Sequence, residues 1–104
     1  MTTPLPEPPQ PTLQIMEVDV LGADRMAIVV RCLETMRLGA EFHHTDQRGQ
    51  VMHLTVVEIR RYPSVPPVPV VHPPHAARVI LRGAGAGQLR LRPWGIIKGR
   101  NPAG

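Results

Sequence analysis

Apolar side chains recur at alternate positions in short runs along this chain, the period of strands that bury one face. In Leu13-Gln-Ile-Met-Glu-Val-Asp-Val-Leu21, Leu13 and Ile15 share one face while Val18 and Val20 share the other. A change of phase inside one run predicts a bulge or bend between Ile15 and Val18. Gly22-Ala-Asp-Arg25 is a turn. Met26–Leu33 is apolar on both faces, and its β-branched residues and short length predict a strand rather than a helix. Glu34–Leu38 is ambiguous. Gly39 breaks the chain before a short third strand, Ala40–His44, and Asp46–Gly49 reads as a hairpin turn.

The longest run of strand-favouring residues is Val51–Tyr62. Val51, Leu54, Val56, Val57 and Ile59 supply its apolar side chains, and Glu58, Arg60 and Arg61 cluster at its end. It is the expected central strand of a small closed sheet, with its charged end as contact surface. Proline has no N–H to donate, so Pro63–Pro74 is expected to make no regular ladder pairs and to run as a stiff, exposed connection. Ala76–Arg82 is the next strand and Gly83–Gly87 a flexible turn. Gln88–Arg92 and Gly95–Lys98 finish the sheet, with Trp94 expected to plug one end. Residues 1–11 hold five prolines and predict an extended, polyproline-like arm. The chain is expected to fray from Gly99, leaving 100–104 as a tail.

About six short strands without a helix imply an all-β fold, an antiparallel barrel or sandwich. A closed six-stranded barrel over residues 12–99 is preferred, because so short a sheet leaves costly edges unless it closes.

Composition narrows the function classes. A chain of 104 residues is one domain. Phe42, Tyr62 and Trp94 are its only aromatics, so the core must be aliphatic. No apolar run approaches the length of a membrane-spanning helix, and no secretory signal is visible at the N-terminus. Cys32 is the only cysteine, so no internal disulfide forms. It reads as a buried small hydrophobe, and a cytoplasmic location is expected. The net charge is +4, carried by eleven arginines and Lys98. Arginine favours planar, bidentate contacts with phosphate, which makes a nucleic-acid partner plausible.

Catalytic and cofactor chemistry find little support. The GxGxG spacing of Gly83–Gly87 opens no helix in a βαβ unit and is no dinucleotide fingerprint. His43 and His44 are adjacent and face opposite ways on a strand. His72 and His75 lie in the proline loop and could share an ion with His53, but no zinc-ligand spacing accompanies them, and scattered surface histidine is the preferred account. Ser64, the only serine, has no sign of an oriented base. No metal, cofactor or catalytic residue is assigned.

A resemblance joins these runs. Leu13-Gln-Ile-Met-Glu-Val, Ala27-Ile-Val-Val, Met36-Arg-Leu-Gly39, Thr55-Val-Val-Glu-Ile-Arg-Arg61, Ala76-Ala-Arg-Val-Ile-Leu-Arg-Gly83 and Trp94-Gly-Ile-Ile97 follow one another over residues 12–99. In that order they resemble the second-domain β-barrel of the translation GTPases, elongation factor Tu and its relatives. The departures are a Thr55–Arg61 run two residues shorter than the family's, Val30 for a family glycine, Ala40 for an acidic residue, Ala77 for a second glycine, and the proline-rich connection. No GxxxxGKS/T phosphate loop is present, so GTP hydrolysis is excluded and the barrel is expected to stand without its nucleotide-binding partner.

The resemblance implies roles. In factors that carry aminoacyl-tRNA, a strand glutamate lies against the terminal adenosine beside an arginine, and Glu58 and Arg61 hold the matching positions. A further family arginine approaches the tRNA 5′ end, and Arg82 matches it. Beside this stands the plainer account, in which Glu58 and Arg61 are solvated or paired with one another and Arg82 is a surface charge. The reading is a non-catalytic binding module for RNA, a tRNA or rRNA, or for a ribosomal component. The alternative is a protein-interaction module that uses the barrel and the proline-rich segments without binding RNA.

Overall fold

The computed structural model describes residues 10–45, 49, 51–61 and 66–103. The expected arm up to residue 9, most of the 46–49 turn, and Tyr62 to Val65 with Ser64 lie outside the described residues. Eight strands are formed: β1 Thr12–Val20, β2 Arg25–Glu34, β3 Met36–Arg37, β4 Glu41–Thr45, β5 Val51–Arg61, β6 Val70–Val71, β7 Ala76–Arg82 and β8 Ile96–Arg100. Six of them close a barrel in the order β1-β2-β7-β5-β4-β8, antiparallel throughout. Strands β3 and β6 pair as a separate ribbon. The fold is all-β; among the described residues the one helical piece is a 3-10 turn at Ala86–Gln88.

Two bulges bring the apolar pattern into register with closure. On β1 the ladder steps from Ile15 opposite Val30 to Glu17 opposite Val29, leaving Met16 as the extra residue. The inward row of Leu13 and Ile15 thereby passes to Val18, which packs half-buried against the core, while Val20 at the strand end is 55% exposed. Strand β5 carries a second bulge at Val57, between Val56 opposite Leu81 and Glu58 opposite Ile80. It lets Leu54, Val56 and Ile59 all face inward. The register then aligns inner rows across adjacent strands, such as Val18, Ile28, Val79 and Ile59. Among the described residues Phe42 is the one aromatic of an otherwise aliphatic core.

The barrel closes through a narrow seam. Strands β4 and β8 share two residue pairs, Glu41 with Arg100 and Phe42 with Gly99. A side chain at Gly99 would strike the Glu41 carbonyl oxygen and the Phe42 ring, so glycine is what allows the approach.

Four expectations are corrected. Pro63–Pro74 does enter ladders. Val70 and Val71 pair with Arg37 and Met36, and Pro67 bridges Arg60, because the valines supply the donors the prolines lack. Gln88–Arg92 is no strand. Leu89 and Leu91 are buried and Arg90 and Arg92 exposed as alternation requires, but the segment joins no ladder among the described residues. Trp94 does not plug the barrel: it is 68% exposed, and Leu89 and Leu91 enter the core instead. Gly99 and Arg100 belong to β8 and do not fray. Asn101 follows, accepting from the Arg37 N–H at 2.9 Å and donating to the Thr35 carbonyl at 3.0 Å.

Candidate nucleic-acid interface

Alternation along paired strands decides what the outer wall presents. Arg82 of β7 stands opposite Arg25 of β2 and Thr55 of β5. Two residues along, Ile80 stands between Ala27 and Glu58; two further, Arg78 stands between Val29 and Arg60. Arg31 adds a fifth guanidinium on β2, opposite Ala76. Strands β2, β7 and β5 thus bring Arg25, Arg31, Arg60, Arg78 and Arg82 onto one wall. The carboxylates there are Glu58 and, on adjoining β1, Glu17 and Asp19.

Glu58 and Arg82 share this wall as diagonal neighbours, two residues apart in register. Arg61 does not join them. It ends β5 opposite Ala77, whose side chain is fully buried, and so belongs to the opposite phase of the alternation at the barrel rim. The partner of Glu58 is Arg60, not Arg61. Oε1 of Glu58 accepts from Nη2 at 2.9 Å and from Nε at 3.1 Å. Both side chains are partly exposed, so the pair contributes about 0–1 kcal/mol and yields readily to a competing ligand.

A second basic region lies on the other side of the ring, since β7 is third and β8 sixth in the barrel order. Lys98 and Arg100 project at alternate exposed positions of β8, after exposed Ile96. They line an open groove of about 290 Å³ with Gln10, Glu41, His43 and Gly99. His43 also meets His53 across the β4–β5 pair, ring centroids 4.4 Å apart and nearly edge-on. His72 is engaged elsewhere, 3.2 Å from the Thr35 hydroxyl. No group of three or more metal-binding side chains occurs among the described residues.

Cys32 is fully buried, and burial pushes its thiol above the usual 9.0. Its Sγ donates to the Glu34 carbonyl at 2.9 Å and lies 3.5 Å from that of Val71, so it ties β2 to the β3–β6 ribbon.

The signal that locates both basic regions is the order of charges along the chain. Every Asp and Glu lies at or before Glu58, whereas residues 59–104 carry seven arginines and Lys98. Strands β7 and β8 and the segment before β8 therefore have no carboxylate of their own. Comparison with family models, with curated proteins and with solved structures finds no match to this chain.

Proposed function

We propose that this barrel is a non-catalytic module that binds RNA, with tRNA or a ribosomal RNA segment as partner, in the manner implied by its resemblance to the second domain of elongation factor Tu. The observation that carries the reading is the outer wall of β2, β7 and β5, where five guanidiniums stand on three adjacent strands. Among the described residues Arg60 alone of these five is in a salt bridge. Guanidinium forks match phosphate oxygens bidentately and remain charged at any physiological pH. In this reading Arg82 and Arg78 contact phosphates. Glu58, released from Arg60 or steered by it, accepts from a base or ribose hydroxyl, and Arg61 at the rim contributes charge.

The test is a titration with aminoacylated and uncharged tRNA at two salt concentrations. Binding should weaken steeply with salt, and Arg78→Ala/Arg82→Ala should lower the log–log slope by about 2, one per lost phosphate contact. Glu58→Ala should weaken aminoacylated and uncharged tRNA alike, because both carry the base and ribose it contacts. Equal and feeble binding by the wild type and by Glu58→Ala/Arg82→Ala refutes the reading. Capture of a protein by a contact indifferent to salt would favour the interaction-module alternative.

A further inference from the structure

We propose that Trp94, with the exposed side of β8 that follows it, is a stacking site for unpaired bases of single-stranded RNA, separate from the β2–β7–β5 wall. The proposal rests on the RNA-binding reading and names where an unpaired segment sits.

Trp94 is the only tryptophan, and folding does not account for it. Its φ is 68°, the left-handed region where a bulky side chain is strained and glycine or asparagine is the usual occupant. The turn that holds it is closed by Gly95 N–H donating to the Arg92 carbonyl at 3.0 Å, with Pro93 and Trp94 as central residues. Proline suits the first central position and glycine the second. Trp94 takes the glycine position and gains little burial in return, at 68% exposure. Backbone strain without compensating packing is the kind of outlier that marks a functional position.

The turn is nonetheless fixed in place. Trp94 N–H donates to the Ile15 carbonyl, and Gly95 accepts from the Ile15 N–H at 2.8 Å, so the indole is presented from the end of the β1–β8 ladder. The backbone at Trp94 is thus already ordered before a base stacks, so only the indole's own rotation is lost on binding.

The surroundings select the ligand. Arg90 and Arg92 precede the turn and are exposed. Ile96, 56% exposed, then Lys98 and Arg100 follow at alternate positions of β8. Glu41 is the one carboxylate lining the groove beside Lys98 and Arg100. An exposed aromatic with Arg90 and Arg92 before it, followed along the exposed side of β8 by Lys98 and Arg100, is the composition of a single-strand site: bases stack while the backbone runs along positive charge. From Ile96 to Arg100 the strand spans about 13 Å, and the three steps between four stacked bases span about 10 Å, so a tetranucleotide fits along it.

The experiment uses Trp94 as its own reporter. Tetra-adenylate is titrated against the full chain at low salt, following tryptophan emission, with a blunt RNA duplex in parallel. The expected result is saturable quenching by the single strand and none by the duplex. Trp94→Gly should weaken binding of the tetranucleotide about tenfold, measured with a labelled oligomer, while Trp94→Phe retains most of it. Because glycine suits the turn, Trp94→Gly should melt no lower than the wild type, which excludes misfolding as the cause. If the wild type binds tetra-adenylate and Trp94→Gly binds it equally well, or if the duplex quenches as strongly, this site is refuted and the reading of the β7 wall stands. Failure of the wild type to bind either tetra-adenylate or tRNA sinks both.

Discussion

At the scale of single residues, Trp94 and Cys32 show opposite bargains between backbone, burial and chemistry. A left-handed φ at a residue with a Cβ costs about 1–2 kcal/mol, and glycine returns part of that gain through its freer unfolded chain. Trp94→Gly should therefore stabilise the barrel by about 0.5–1 kcal/mol and raise Tm by a few degrees. A melting scan showing clear destabilisation would mean that the indole packs more than its exposure implies. Cys32 is fully buried, and burial raises its pKa above 9.0. The unfolded chain releases the thiol proton as pH passes about 9, while the native state keeps it, so unfolding gains an advantage that grows with pH. The Cys32 contribution should be constant through neutrality and decline above about pH 9, and Cys32→Ala should lack that decline. A thiol reagent should label wild-type Cys32 only through unfolding.

At the scale of elements, apolar alternation makes most of the barrel legible in the sequence. The bulge near Met16 was readable because Leu13 and Ile15 fall out of phase with Val18 and Val20 within one run. The bulge at Val57 was not, because Val56 and Val57 are both apolar and either could face the core. Leu89 and Leu91 show why alternation alone overreached. A strand requires a partner as well as a pattern, and nothing in the residues 88–92 says that the neighbouring ladder is absent. The two-residue ladders at Met36–Arg37 and Val70–Val71 are too short to show a period, so the first is ambiguous in sequence and the second is masked by its prolines. The β4–β8 seam was also hidden, since it hangs on Gly99. A Cβ at Gly99 meets backbone as well as the Phe42 ring, whereas one at Gly22 meets nothing within 4 Å. Gly99→Ala should cost about 2–3 kcal/mol, as overpacking does, and Gly22→Ala should stay within about 0.5 kcal/mol of wild type. Urea midpoints for the two variants decide this. Equal midpoints would mean that closure does not depend on the close approach of β4 to β8.

At the scale of the whole molecule, closure distributes charge in a way the linear sequence only half displays. The acid-free stretch after Glu58 is visible in the residues alone, but it maps onto two walls because β7 and β8 lie three strands apart in a six-stranded ring. Arg82 and Glu58 were findable from their motifs. Arg78 follows from alternation with Arg82 along β7, whereas Arg25 and Arg31 were hidden, because register brings β2 beside β7 from a distant part of the sequence. Separation makes a quantitative prediction about how the two proposed sites combine. The stacked bases of a tetranucleotide cover about 10 Å and cannot reach from β8 to the opposite wall, so Trp94→Gly should weaken it while Arg78→Ala/Arg82→Ala leaves it nearly unchanged. A long RNA can occupy both walls. For it each change should cost affinity, and because the sites share no partner, the two losses should add on a logarithmic scale. Labelled short and long RNAs, measured against the wild type and the single and combined variants, supply the comparison. If removing Arg78 and Arg82 weakens the tetranucleotide as much as the long RNA, both regions act through one general field and the two-site arrangement is wrong.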